Sequence, residues 1–147
     1  MQIKDVMTKD VVTVLPEETV AVAGRLMARH NIGALAVCSR DGSLRGMLTD
    51  RDIVLRCVAA EEDPTKLTVR QVMTRRVVSV GPGDPAAVAS SRMAREQIRR
   101  LPVEHDGKIV GMVSLGDLTQ QRQFHMEVAD TLCDICSSVR KAEPEKD

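Results

Sequence analysis

Two matching stretches of the chain, each opening on Gly-Met, carry a hydroxyl residue three positions ahead of an aspartate. The first lies in Gly46-Met47-Leu48-Thr49-Asp50-Arg51-Asp52-Ile53, the second in Gly111-Met112-Val113-Ser114-Leu115-Gly116-Asp117-Leu118. In each, the apolar pair ahead of Thr49 or Ser114 reads as the end of a short buried strand, and the residues from Asp52 or Asp117 onward read as the start of a helix. A hydroxyl and a carboxylate then meet at a strand-to-helix corner. A carboxylate only accepts, and it can take hydrogen bonds from two neighbouring hydroxyls at once. The 2′,3′-diol of a ribose presents such a pair, so each corner could hold a nucleoside. The same residue types also serve helix N-capping, in which a side-chain oxygen satisfies free backbone N–H groups. Both readings stand for Thr49 with Asp52 and for Ser114 with Asp117.

The elements that must position these corners form an internal repeat. Val6-Met7-Thr8 returns as Val72-Met73-Thr74, and Val11-Val12-Thr13-Val14 returns as Val77-Val78-Ser79-Val80, both at an offset of 66. Pro16 returns as Pro82, Met27-Ala28-Arg29 as Met93-Ala94-Arg95, and the Ile32–Val37 stretch as Ile98–Val103. The offset falls to 65 at Asp41-Gly42 and Asp106-Gly107, so one residue has dropped out of a loop. Each half predicts the same elements. In the first half these are a strand over 11–14, a helix begun at Pro16-Glu17-Glu18-Thr19, a strand over 34–38, an Asp41-Gly42 turn, a strand over 44–48 and a helix over 52–60. In the second half they are a strand over 77–80, a helix over 85–95, strands over 101–104 and 109–113 about an Asp106-Gly107 turn, and a helix from Gly116. Glu61-Glu62-Asp63-Pro64 is the polar linker. The expected division is residues 1–62, residues 63–122 and a helical tail over 123–147. A half of 55–60 residues is marginal alone, so the two are expected to share a core, packed sheet to sheet by a pseudo-twofold, in an α+β fold.

Composition narrows the partners. Lys+Arg and Asp+Glu both number 21, so there is no net basic field to draw nucleic acid or an anionic membrane. Phe124 is the single aromatic residue, which argues against stacking platforms for single-stranded nucleic acid. No apolar run approaches the roughly 18–20 residues of a membrane span, and Met1-Gln2-Ile3-Lys4-Asp5 lacks a signal-peptide core. Four cysteines, Cys38, Cys57, Cys133 and Cys136, suit a reducing compartment better than a disulfide framework. A cytoplasmic protein is the expectation.

The motifs Val-Met-Thr, Val-Val-Thr-Val, Ile-Gly-Ala-Leu-Ala-Val, Asp-Gly and Gly-Met-Leu-Thr-Asp-Arg-Asp-Ile, all repeated once, resemble the CBS domain, the module named after cystathionine beta-synthase. Two in tandem would make a CBS pair, or Bateman module, over roughly residues 1–122, each repeat of β-α-β-β-α type with a C-terminal helix appended. The resemblance implies a regulatory module that binds adenine nucleotides or adenosyl compounds (AMP, ADP, ATP, NAD or S-adenosylmethionine) in clefts between repeats, usually as a homodimer. It implies ribose contacts at Thr49 and Asp52 in one cleft and at Ser114 and Asp117 in the other. The Asp117 cleft would borrow Thr8, Val12, Thr13 and Ile32, and the Asp52 cleft Thr74, Val78, Ser79 and Ile98, as an adenine pocket. Phosphates would need cations, and Arg51, Arg99 and Arg100 are the nearest candidates. The halves differ in charge there: Arg99-Arg100 stands where the first half has Gly33-Ala34, and Asp50-Arg51 where the second has Leu115-Gly116. Pro102 for Ala36 reads as a mild departure. Family pairs usually regulate a fused enzyme or channel, so the effector is expected on a separate chain.

In the tail, Phe124, Val128, Leu132, Ile135 and Val139 fall on one helical stripe, and Ala142–Asp147 reads as frayed. Cys133 and Cys136, at i and i+3, read first as small hydrophobes in that packing; as metal ligands they are weak candidates, because a structural zinc needs four. His125 could add a third ligand, whereas His30 and His105 read as surface residues beside turns. No phosphate-cradling Gly-rich loop, Mg²⁺ carboxylate cluster or nucleophile with a base partner is present, so no catalysis is expected. The alternatives to a sensor are a dimerisation scaffold and a redox- or zinc-linked module acting through the Cys-x-x-Cys.

Overall fold

A computed structural model describes residues 1–142, with the side chains of 138–142 excluded. The expected Ala142–Asp147 tail lies almost wholly outside the described residues, as does the side chain of Val139. Thr13–Val14 forms β1, Ala34–Cys38 β2, Leu44–Thr49 β3, Arg100–His105 β4 and Lys108–Ser114 β5. Val20–His30 forms α1, Asp50–Ile53 α2, Val69–Val72 α3, Ala86–Glu96 α4, Leu115–Thr119 α5 and His125–Ala142 α6. The fold is α+β, with one sheet ordered β1-β2-β3 and a second made of β4 and β5. No helix among the described residues is long and apolar enough to cross a membrane.

Local chemistry accounts for these elements. Thr19 caps α1 by accepting from the Val22 N–H at 3.3 Å, so that helix begins at Val20 rather than at Pro16. Asn31 and Gln97 end α1 and α4 in the left-handed conformation, with φ of 52° and 58°. Asp106 and Gly107, both at positive φ, make the two-residue turn joining β4 to β5.

The chain separates into two compact units. One, the β1–β3 unit, holds residues 10–77 and 106–109; the other, the β4–β5 unit, holds residues 1–9, 78–105 and those from 110 onward. These units cut across the repeats of the sequence, because each takes the segment that precedes the other repeat's first strand. In the β4–β5 unit a 3₁₀ turn, Ile3–Asp5, places Ile3 in the core at 0% exposure, with Leu101, Val103, Val113 and Leu118. In the β1–β3 unit α3 does the same with Val69 and Val72, against Leu35, Val37 and Leu48. Both segments start on a capping box, Gln2 with Asp5 and Thr68 with Gln71.

Three sequence expectations are corrected. Residues 77–80 do not form a strand; a single bridge joins Val80 to Val103. Pro102 has no N–H to donate where Ala36 pairs with Thr13 in the other unit, and the neighbouring Ser79 carbonyl accepts from the Arg92 guanidinium. The helix expected over 52–60 starts at Asp50 and widens to a π turn over Val54–Val58. The inward stripe runs from Phe124, just ahead of α6, through the half-buried Val128 to Thr131 and Ile135, not through Leu132, which is 44% exposed. The buried Ser90 hydroxyl on α4 hydrogen-bonds Thr131 at 2.8 Å, which turns that face of α6 inward.

The burial of a residue so close to the N-terminus yields a prediction. Ile3→Ala should cost roughly 2–5 kcal/mol, the range for truncating a buried large aliphatic side chain, read from urea denaturation; a cost typical of a frayed terminus would contradict the packing of residues 1–9 in the β4–β5 unit.

Candidate functional site: two acid-and-hydroxyl corners

Thr49 is both the last residue of β3 and the N-cap of α2. The Asp52 N–H donates to Thr49 Oγ1 at 3.1 Å, and the Thr49 N–H donates to Asp52 Oδ2 at 3.0 Å. Ser114 and Asp117 repeat this reciprocal pair at the start of α5, at 3.0 and 2.8 Å. Capping chemistry is therefore realised at both corners. It uses one carboxylate oxygen of each aspartate. The other oxygen of Asp52 faces the Thr74 hydroxyl at 3.4 Å and Arg56 Nη1 at 3.9 Å, both longer than an ordinary hydrogen bond to a carboxylate. Among the described residues, nothing donates to the second oxygen of Asp117.

Each corner is held by the segment that precedes the other repeat's first strand. Met47 and Thr74 exchange backbone hydrogen bonds at 3.0 and 2.9 Å, and Met112 and Thr8 do so at 2.9 and 2.8 Å. The approach needs a glycine. A Cβ on Gly46 would lie 2.7 Å from the Thr74 carbonyl oxygen, and one on Gly111 would lie 3.0 Å from that of Thr8 and 2.5 Å from Met7 Sδ. Thr74 thus stands beside Asp52, and Thr8 pairs with Met112, two residues before Ser114.

The corners differ in charge. In the β1–β3 unit the Asp50 N–H donates to the Gly33 carbonyl at 2.9 Å, and the Asp50 carboxylate lies over Gly33, where a Cβ would sit 2.9 Å from Oδ2. In the β4–β5 unit the matching bond runs from the Leu115 N–H to the Arg99 carbonyl at 2.9 Å. One corner therefore carries a second acid, and the other an arginine. Arg51, Arg99 and Arg100 are all exposed. Of the expected adenine-pocket residues, Val12, Thr13 and Ile32 belong to the β1–β3 unit and Val78, Ser79 and Ile98 to the β4–β5 unit. Val12, Ile32, Val78 and Ile98 pack against the cores of their own units. Asp50 was not among the candidate site residues; its place beside the corner follows from the paired exchange of Gly33 and Asp50 for Arg99 and Leu115.

With this geometry described, the comparisons with known proteins can be read. The family model for the CBS domain matches residues 3–58 and again 69–122. The chain belongs to the CBS-domain family. Both matches begin at the segment that enters the other repeat's core, at Ile3 and Val69. The CBS domain-containing protein YhcV of Bacillus subtilis is 42% identical over 133 residues, 90% of this chain and 94% of that protein. Hypoxic response protein 1 of Mycobacterium tuberculosis is 33% identical over 139 residues, 95% of this chain and 96% of that one. Among solved structures, Hypoxic Response Protein I with two coordinated zinc ions matches at a TM-score of 0.77 and 34% identity, covering 82% of this chain and 98% of that one. The CBS domain pair of protein MJ0100, in complex with methylthioadenosine and S-adenosyl-L-methionine, matches at 0.73 and 26%, covering 82% and 94%. Inosine-5′-monophosphate dehydrogenase of Methanocaldococcus jannaschii matches over 86% of this CBS chain but only 24% of its own length.

The cysteines divide into two classes. Cys38 and Cys57 are buried, and burial pushes the Cys38 thiol up to about 11. Cys133 and Cys136 are exposed on α6, which corrects their reading as packing residues. No group of three or more His, Cys, Asp or Glu side chains that could hold a metal occurs among the described residues. His125 Nε2 lies 3.0 Å from the Thr119 carbonyl.

Two outcomes follow. Thr49→Ala should lower stability by about 1 kcal/mol while Thr49→Ser largely preserves it, the usual span for a lost N-cap, measured by chemical denaturation. Under native conditions a disulfide exchange reagent at pH 8 should titrate two thiols quickly, Cys133 and Cys136, and reach Cys38 and Cys57 only on unfolding; four fast thiols would contradict the burial.

Proposed function

We propose that this protein is a non-catalytic sensor that binds adenosyl ligands at the Asp52 and Asp117 corners. The observation that carries the reading is the division of labour within each carboxylate: one oxygen serves the cap and the other keeps accepting capacity, in the same geometry twice. A ribose diol would donate both hydroxyls to that second oxygen, with the Thr74 hydroxyl free to turn toward the sugar in the β1–β3 unit. The cap holds the carboxylate in place before the ligand arrives, so little ordering is required on binding. The related pair crystallised with methylthioadenosine and S-adenosyl-L-methionine supports the ligand class.

Charge separates the two corners. The Asp117 corner, with Arg99 on its backbone rim, suits phosphate-bearing nucleotides such as AMP, ADP, ATP or NAD. The Asp52 corner, with Asp50 beside it, disfavours phosphate and suits a neutral or cationic adenosyl group such as S-adenosylmethionine. Signalling passes to an effector on another chain, with a homodimer as the working form. Val54, Leu55 and Val58, exposed at 53, 50 and 65% on the π turn, offer an apolar face for such contacts. A second reading, an interaction scaffold without a nucleotide, is favoured by the completed capping boxes.

Thermal shift with methylthioadenosine, S-adenosylmethionine, AMP and ATP separates the two readings. A ligand at about 100 times its Kd should add roughly 2.7 kcal/mol and raise Tm by several degrees. Asp52→Asn should abolish the response to S-adenosylmethionine, and Asp117→Asn the response to AMP and ATP, both variants keeping an amide oxygen for the cap. A wild-type protein unmoved by all four would leave the scaffold.

A further inference from the structure

The β1–β3 unit has a second concave site that the adenosyl reading does not use. A cavity of about 340 Å³ is lined by Pro16, Glu17, Ser39, Arg45, Arg70, Met73 and Arg75. Neither Thr49 nor Asp52 lines it. Arg45 is four residues before Thr49 on β3, so it lies roughly 13 Å along the strand from the capped corner. Ser39 and Pro16 follow the C-terminal ends of β2 and β1, which run parallel to each other. The cavity therefore opens at the other end of the sheet from the Asp52 corner.

Its chemistry is that of an oxyanion receptor. Three guanidinium groups face one carboxylate. Arg45 Nε donates to the Ser39 hydroxyl at 2.7 Å, which orients that guanidinium. Arg70 pairs with Glu17 at 3.1 Å, both partners more than half exposed. Arg75 has no partner among the described residues, and it directly follows Thr74, whose backbone is pinned to Met47. The lining is two charges positive. A phosphomonoester carries about −1.5 to −2 at pH 7 and so balances it, whereas a single carboxylate leaves it half neutralised. Planar guanidinium forks suit tetrahedral oxyanions, singly or in pairs. The volume, at the low end of the roughly 300–1,000 Å³ range of small-molecule sites, exceeds a bare phosphate and leaves Pro16 and Met73 as an apolar wall for a short organic group. The duplication supplies a comparison within the molecule. The matching positions of the β4–β5 unit carry Gly83 for Glu17, Val110 for Arg45, and Lys4 and Lys9 for Arg70 and Arg75, so no guanidinium fork remains there.

We propose that the cup formed by Arg45, Arg70 and Arg75 binds a small organic phosphate, separately from any adenosyl ligand, with Glu17 as an internal competitor for Arg70. Isothermal titration of the full chain with glycerol 3-phosphate, and with glycerol as the neutral control, tests it. Heat is expected from the first and none from the second. Arg45→Ala and Arg75→Ala should each weaken binding about tenfold, the scale of one charge-assisted contact, with circular dichroism verifying that these exposed-residue variants remain folded. Glu17→Gln should tighten binding, while Glu62→Gln, which removes the same charge outside the cup, should not. Asp52→Asn should leave the affinity unchanged. Absence of heat, equal affinities in the arginine variants, or equal effects of Glu17→Gln and Glu62→Gln would overturn the site. Loss of binding in Asp52→Asn would overturn its independence and make the cup the far end of the corner.

Discussion

In each unit a pair of backbone hydrogen bonds crosses the face of a glycine, and the geometry of the corner hangs from that pair. Met47 and Thr74 make it in one unit, Met112 and Thr8 in the other. Because Gly46 and Gly111 have no Cβ, the threonine carbonyls come closer to the strand than any side chain would permit. The bonded segment then has a fixed register. Upstream of it, Val69 or Ile3 drops into the core; at it, the Thr74 hydroxyl reaches toward Asp52; downstream of it, Arg75 is delivered to the rim of the basic cup. Burial, the corner and the cup are three results of one close approach.

In the sensor reading proposed above, capping and recognition need not compete. A carboxylate has two oxygens and about four acceptor positions. In both copies the N-cap amide takes one oxygen, and the helix start is satisfied by that bond together with the reciprocal hydroxyl contact. What remains is an acid whose rotamer is already fixed by structure that folding requires anyway. On the proposed reading stability and recognition share one side chain, so a substitution at Asp52 or Asp117 would act on both unless it keeps the acceptor.

Much of this was legible in the residues. The offset of 66, the Asp-Gly turns and the run from Gly46 to Ile53 are local patterns, and β2, β3 and the two corners appear where those patterns put them. What escaped depends on partners distant in the chain. The α3 segment carries a capping-box signature at Thr68 and Gln71 but follows the polar linker without a periodic pattern of its own, since only its packing against the core gives Val69 and Val72 a purpose. Pro102 looked harmless because the strand it interrupts is defined by a donor, not by a side chain. Leu132 fitted the helical period, yet the Ser90–Thr131 hydrogen bond set the rotation of α6. The basic cup could not be seen at all, because its arginines stand on separate elements without common spacing.

The position of Ile3 bears on the order of events during synthesis. The apolar cluster of the β1–β3 unit is complete in sequence once Met73 has been translated, so a growing chain can assemble it early. Ile3, Val6 and Met7 leave the ribosome before any of that cluster, but their companions Leu101, Val103 and Val113 are made only after it. The nascent polypeptide therefore carries this apolar segment unsheltered while the whole β1–β3 cluster is made, and the β4–β5 unit must recapture residues that emerged well before its own strands.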